Sequence, residues 1–131
     1  MNAVSQQLTY RRLWSSLGLT LVLAVIVSSL VPGNPPGSNT GLDKLAHAGA
    51  YLVLMVWFAG LHPRRTWRWV ALWLFVLGIV LELLQGAMHM HRTADARDML
   101  ANAAGIGLGA MAAATGLANW PHRLETWLAR I

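Results

Sequence analysis

Residues 69–85 read WVALWLFVLGIVLELLQ and contain a single charged side chain, Glu82. Thirteen apolar or glycine residues precede this carboxylate, and Gln85 follows three positions later, on the same face of a helix. An ionised side chain inside an apolar segment of membrane-spanning length is costly, so such residues usually serve a function and have a partner nearby. This stretch therefore predicts a membrane helix that carries part of a functional site.

The composition extends this interpretation to the whole chain of 131 residues, of which 56% are hydrophobic and 11% charged. Soluble domains have about 25% charged residues. A soluble domain of this size could not bury so much apolar surface, so we expect lipid to be its main solvent. The absence of cysteine excludes disulfides, thiolate metal sites and thiol nucleophiles. The net charge of +5 does not indicate a nucleic-acid partner, because the arginines flank apolar spans and suit anionic headgroups.

Four apolar stretches predict an all-α membrane protein, with four transmembrane helices in an antiparallel bundle. They cover residues 13–31, 42–61, 69–88 and 99–118. About 20 residues match a hydrocarbon core of about 30 Å at a rise of about 1.5 Å per residue. Residues 120–131 predict a short amphipathic helix in the membrane interface, capped by Asn119. We expect residues 1–131 to form a single membrane domain.

The basic residues predict an orientation in the membrane. Seven of the ten lie at helix ends that share one side of the bundle: Arg11, Arg12, Arg64, Arg65, Arg68, Arg123 and Arg130. All seven tryptophans also lie at or toward these ends, as in an interfacial aromatic belt. We therefore expect both termini to be cytoplasmic. We favour a retained first span over a cleaved signal peptide, because its apolar stretch is long for a signal.

Polar side chains converge at the opposite, outer ends of three predicted helices. In each helix, most of these residues are spaced by three or four positions and so share one face. The set comprises Asp43, Lys44, His47 and Tyr51 in the second span, Glu82 and Gln85 in the third, Asp95, Asp98 and Asn102 at the start of the fourth, and Arg92 in the loop before it. Gly105 and Gly109 continue the last stripe and predict close helix packing.

At these residues the sequence resembles the VanZ-like family of small integral membrane proteins. The resemblance is carried by Asp43-Lys44-Leu45-Ala46-His47 with Tyr51, by Glu82-Leu83-Leu84-Gln85, and by Arg92, Asp95, Asp98, Asn102, Gly105 and Gly109. Ala48 departs from the aromatic residue expected after His47. The resemblance implies a bacterial cell-envelope protein of the inner (cytoplasmic) membrane. The namesake of the family is associated with resistance to teicoplanin-type glycopeptide antibiotics, and the resemblance supplies no general reaction.

Two functions for the polar set remain open. In the first, the set binds a lipid-linked or amphiphilic envelope ligand, such as a membrane lipid or a lipid-linked cell-wall precursor. The ligand-binding candidates are Asp43, Lys44, Tyr51, Gln85, Arg92, Asp95 and Asn102. In the second, the protein is an intramembrane enzyme that performs acyl transfer or phosphoester hydrolysis on a lipid. The catalytic candidates are then His47 as base, Glu82 as acid, and Asp98.

Two further interpretations compete with these functions. The charged residues can form an ion-pair network that fixes the register of the helices. Alternatively, they can assemble a metal site. Its ligands would come from His47, His89, His91, Glu82, Asp95 and Asp98. Because His89 and His91 lack a standard zinc spacing, we expect no metal and no cofactor. The glycine face suits helix pairing within one chain or between chains, so the oligomeric state stays open.

Overall fold

The computed structural model describes residues 8–31, 41–88 and 95–131, and these residues form helices and turns without any strand. Within these ranges the chain forms five α-helices: α1 (Arg11–Leu30), α2 (Gly41–Leu61), α3 (Trp67–Ala87), α4 (Ala96–Ala114) and α5 (Trp120–Leu128). Short 3₁₀ turns, Arg64–Thr66 and Leu117–Asn119, precede α3 and α5. The prediction of an all-α chain is confirmed over the described residues.

Three described stretches are long and apolar enough to cross a membrane: α1, α2 and residues 64–87. Their outward faces carry large apolar side chains, of which Leu19, Leu23 and Leu83 are more than half exposed. Leaving such a side chain in water forfeits about 1.5–3 kcal/mol of burial energy. These faces are therefore suited to contact with lipid.

The fourth predicted span, residues 99–118, is not one continuous helix. Helix α4 ends at Ala114. It is long and apolar enough for a membrane span only together with residues 117–128, which follow across a bend of 72°. Gly116 adopts a φ of 110°, a left-handed conformation that side chains disfavour and that commonly ends helices. The sequence pattern does not reveal this break, because the residues around Gly116 stay largely apolar.

Helix α2 lies at the centre of the packing, and its backbone touches that of α4. A Cβ atom on Gly105 would overlap the carbonyl of Ala48. A Cβ atom on Gly109 would lie 2.8 Å from the carbonyl oxygen of Leu52. These paired positions show that α2 and α4 run in the same direction with no side chain between them at the two glycines.

Helices α1 and α3 run opposite to α2. The α3 direction follows from two contacts: Gly78 faces Tyr51, and the rings of Phe58 and Trp73 lie 6.1 Å apart. We call the end with the N-termini of α2 and α4 and the C-terminus of α3 the polar end. The opposite end, with the N-termini of α1 and α3 and with α5, is the tryptophan end.

Helix α5 packs against the other helices at the tryptophan end. The ring of Trp120 lies 4.3 Å from that of Trp57 and 5.5 Å from that of Trp14. At these distances the rings are in direct contact. Asn119 stands at the N-cap of α5 as predicted, but its side chain makes no capping hydrogen bond. The helix is therefore positioned mainly by tertiary contacts.

Candidate functional site

Lys44 joins two carboxylates at the start of α4: Asp95, the N-cap residue, and Asp98 in the first turn. Its Nζ atom donates to Asp95 Oδ2 at 3.0 Å and to Asp98 Oδ1. The side chains of Lys44 and Asp95 are each 28% exposed, whereas that of Asp98 is 6% exposed. Asp98 lies in the first turn of α4, where the helix dipole also favours a negative charge. The ion pair therefore runs from the rim of the site to its interior.

His47 lies one turn below Lys44 and contacts two residues of α4. Its Nδ1 atom lies 3.1 Å from Asn102 Oδ1, and its Nε2 atom lies 3.8 Å from Asp98 Oδ2. Because an amide oxygen only accepts hydrogen bonds, Nδ1 carries a proton and donates it to Asn102. The Nε2 atom therefore faces the Asp98 carboxylate. The buried amide of Asn102 fixes the orientation of the ring.

Glu82 accepts a hydrogen bond from the backbone N–H of Asp95 at 2.6 Å. The glutamate is 2% exposed, so this contact ties the buried end of α3 to the start of α4. Asp95 in turn caps α4, because its Oδ1 atom accepts the backbone N–H of Arg97 at 2.8 Å. This backbone hydrogen bond and the Lys44 ammonium together hold the pKa of Asp95 below its ordinary value.

Tyr51 lies deeper, one turn below His47 on the same face of α2. The residue is 2% exposed. Its hydroxyl forms no hydrogen bond with any atom of residues 8–31, 41–88 and 95–131. A Cβ atom on Gly78 would lie 3.2 Å from this hydroxyl and 3.0 Å from Asn102 Nδ2. The glycine thus leaves room for both polar groups beneath His47.

The remaining predicted site residues have separate positions. Asp43 offers a carboxylate oxygen that lies within 4.8 Å of ligand atoms of both His47 and Asp98. Gln85 donates from its amide nitrogen to the carbonyl of Ser29 at 2.5 Å, so it links α3 to α1. Arg92 lies outside the described residues, as do His89 and His91 of the metal interpretation. Gly105 and Gly109 lie in the α2–α4 contact described above.

The arrangement combines donors and acceptors whose exposure falls toward the interior. An ammonium and a carboxylate lie at the rim, followed by an imidazole, a buried carboxylate, an amide and a phenol. Such a set can pair with hydroxyl, amine or phosphate groups of a ligand that enters from the polar end. It can also hold His47 in one tautomer for proton transfer through Nε2.

Glu125, for which the sequence pattern predicts no role, has a defined position in the structure. Its carboxylate accepts the backbone N–H groups of Thr9 and Tyr10 at 2.9 Å each and the Trp14 indole N–H at 2.8 Å. It therefore caps the start of α1 from α5. The only sequence signal was its isolation, since the other four acidic residues belong to the polar end.

The chain shows no significant match to protein-family models, to curated proteins or to solved structures.

Proposed function

We propose that this chain is a four-helix membrane protein whose polar end binds the headgroup of an amphiphile at the outer leaflet of the bacterial inner membrane. In this arrangement α1 to α4 cross the membrane in alternating directions and α5 lies in the inner interface. The clustering of arginine at the tryptophan end supports a cytoplasmic location for that end and for both termini. The polar end then opens toward the outside.

The observation that carries the proposal is the decrease in side-chain exposure from the rim of the polar end toward its interior. The side chains of Lys44 and Asp95 are 28% exposed, that of His47 is 13% exposed and that of Asp98 is 6% exposed. A purely structural ion pair has no need of a polar path into the interior, whereas a binding site for a headgroup does. Apolar tails of the same ligand would remain in lipid between the exposed faces of the helices.

The ligand class follows from the donors and acceptors present. Lys44 supplies an ammonium for phosphate or carboxylate, and Asp98 and Asn102 supply acceptors and donors for hydroxyl groups. A lipid-linked cell-wall precursor or a membrane lipid carries both kinds of group next to an apolar chain. The resemblance of the site residues to the VanZ-like family supports a cell-envelope ligand and a link to teicoplanin-type resistance.

Retention of lipid by the purified protein tests the binding proposal. The full chain is extracted from bacterial membranes in mild detergent, and its bound lipids are identified by native mass spectrometry. We expect a polar envelope lipid to be retained, and Lys44→Ala and His47→Ala to reduce its retention at least about tenfold, equivalent to about 1.4 kcal/mol. The control His62→Ala replaces an exposed histidine at the tryptophan end and should retain the lipid.

Two outcomes of this experiment contradict headgroup binding. The first is a preparation that retains no lipid beyond the amount found with an unrelated membrane protein. The second is equal retention by the two site variants and by the control.

In a glycopeptide-sensitive bacterium, expression of the chain should raise the inhibitory concentration of teicoplanin. Glu82→Gln should abolish this effect while the amount of protein in the membrane stays unchanged.

A second candidate function is favoured by the contact between His47 and Asn102. Because Asn102 accepts a hydrogen bond from the Nδ1–H group, the Nε2 atom of His47 is the one available to accept a proton from water or from a lipid hydroxyl. The protein would then act as a lipid acyltransferase or phosphoester hydrolase. Incubation with the retained lipid separates the two functions, since only an enzyme changes the mass of that lipid, and His47→Ala should prevent the change.

A further inference from the structure

The imidazole of His47 and the carboxylate of Asp98 approach each other through two electron-rich atoms. Nδ1 donates its proton to Asn102, so in the neutral ring the lone pair of Nε2 faces Asp98 Oδ2 across 3.8 Å. This separation exceeds the length of a hydrogen bond. Two lone pairs that face each other in a largely buried setting repel, unless a proton or a metal cation lies between them.

We infer that Asp43, His47 and Asp98 form a binding site for a divalent transition-metal cation of the zinc class, with Asn102 as a positioning residue. This departs from the expectation of a metal-independent site. The three ligand atoms all lie within 4.8 Å of one another. Zinc bonds of about 2.0–2.2 Å in a tetrahedron place neighbouring ligand atoms about 3.3–3.6 Å apart, so small side-chain rotations bring these atoms into range.

Asn102 makes the contact that metal-binding histidines usually require. A ligating imidazole donates its second ring N–H to a carboxylate or carbonyl oxygen, which fixes the tautomer and directs the other nitrogen toward the metal. Asn102 Oδ1 accepts from Nδ1 at 3.1 Å in this way. The asparagine is 3% exposed, so solvent has little access to this hydrogen bond.

The charges at the polar end are also compatible with a divalent cation. Asp43 and Asp98 supply two negative charges and the imidazole is neutral, so a divalent cation makes these three ligands neutral overall. Lys44 occupies Asp98 Oδ1 and leaves Oδ2 on the side of His47. The ammonium competes electrostatically with the metal, and Asp95, its second partner, reduces this competition.

An independent observation lies on the same face of α2, one turn below His47. The hydroxyl of Tyr51 is buried and has no hydrogen-bond partner within the described part of the chain. Burying a hydroxyl without a partner costs about 1–3 kcal/mol. The hydroxyl and Asn102 Nδ2 both lie against Gly78, so the hydroxyl is next to the residue that positions His47. It is available to a polar atom of a ligand that enters the site. Three protein ligands leave a fourth coordination position open for such a ligand, as in catalytic rather than structural zinc sites.

Metal titration of the purified full chain tests this inference without any lipid. The chain has five histidines, and replacing His62, His89, His91 and His122 by Gln gives a background in which His47 is the only one. We expect this background to bind one equivalent of Zn²⁺ by calorimetry and to give the visible absorption of tetrahedral Co²⁺. His47→Gln and Asp98→Asn should abolish both signals.

Two further variants distinguish a specific metal site from nonspecific metal binding. Asn102→Ala should weaken Zn²⁺ binding about 10–100-fold, the usual effect of removing the partner of a ligating histidine. Lys44→Met should strengthen Zn²⁺ binding, because it removes the competing ammonium. Each variant is assayed only if it elutes as a single species and keeps the helical circular dichroism of the parent. If Asp98→Asn fails this check, Asp43→Asn, which lies in the half-buried part of the site, takes its place.

The inference is overturned by either of two results. One is the absence of stoichiometric Zn²⁺ binding in the background that retains His47. The other is binding that persists in folded His47→Gln protein. Failure of lipid retention with intact Zn²⁺ binding would instead count against headgroup binding alone, so the two proposals fail separately.

Discussion

The carboxylate of Glu125 accepts a hydrogen bond from the indole nitrogen of Trp14 at 2.8 Å, which joins the last helix of the chain to the first. The same carboxylate accepts the backbone N–H groups of Thr9 and Tyr10. One acidic side chain thus satisfies three donors at the beginning of α1. Helix α5 is held by this contact as well as by the contacts of the Trp120 ring with Trp14 and Trp57.

Replacing Glu125 should release α5 and lower stability. Charged hydrogen bonds contribute about 1.5–3 kcal/mol when buried, and partial exposure of Glu125 reduces the expected loss for Glu125→Ala to about 1 kcal/mol. Thermal unfolding in detergent, followed by circular dichroism, measures this loss. Replacing the neighbouring exposed Thr126 by Ala is the matched control and should leave the melting temperature nearly unchanged.

Acid should weaken the same contact. Burial raises the pKa of Glu125, but the hydrogen bonds from Tyr10, Trp14 and Thr9 outweigh it and lower the pKa below the ordinary value of 4.5. The stabilisation is therefore present above pH 4.5 and is lost as the pH falls through the lower value of the folded state. The difference in melting temperature between the parent and Glu125→Gln should shrink over this range. A constant difference would contradict the assignment.

The close contact of α2 and α4 predicts opposite results at two neighbouring glycines. Gly105→Ala forces the new Cβ into the carbonyl of Ala48, and overpacking of this kind costs about 1–3 kcal/mol. Gly107→Ala meets nothing within 4 Å and replaces the weaker helix former. Its stability should be unchanged or slightly higher. Equal effects of the two substitutions on thermal unfolding would show that the helices do not touch at Gly105.

Two substitutions of Asp95 separate its capping role from its ion pair. Asp95→Asn keeps an oxygen that can accept the N–H of Arg97 but loses the charge that faces Lys44. Asp95→Ala loses both interactions. At neutral pH we expect the unfolding temperature to be highest for the parent, lower for the Asn variant and lowest for the Ala variant. As the pH falls through the pKa of the folded state, which lies below the ordinary Asp value of 3.8, the parent and the Asn variant should converge, because protonation removes the same charge.

Tyr51→Phe should separate stability from function. The hydroxyl is buried without a described partner, and removing an unsatisfied buried group recovers about 1–3 kcal/mol. We therefore expect Tyr51→Phe to unfold at the same or a higher temperature than the parent. Its retention of lipid should nevertheless fall. A variant that is less stable and binds normally would assign the hydroxyl to the fold rather than to the site.

Parts of this structure follow from the sequence because they depend on local pattern. The apolar runs located α1, α2 and α3 to within two residues at each end, since helix length in lipid is set by hydrophobic thickness. The spacing of three and four residues brought His47, Asp98 and Asn102 to one end of the molecule. Other features depend on contacts between distant residues or on a single backbone angle. They include the Lys44–Asp98 pair, the Gln85–Ser29 link, the bend at Gly116 and the position of Glu125.

The backbone contact between Gly105 and Ala48 has a consequence for ligand selectivity. The two sides of the site, Lys44 and His47 on one helix and Asp98 and Asn102 on the other, are held at a set spacing by main-chain atoms instead of rotatable side chains. A binding site of this kind is preorganised, and little conformational entropy is lost when a matching headgroup arrives. In the proposed headgroup site, a bulkier headgroup could not gain space by separating these helices without breaking their closest contact, so the fold itself would limit the size of the ligand.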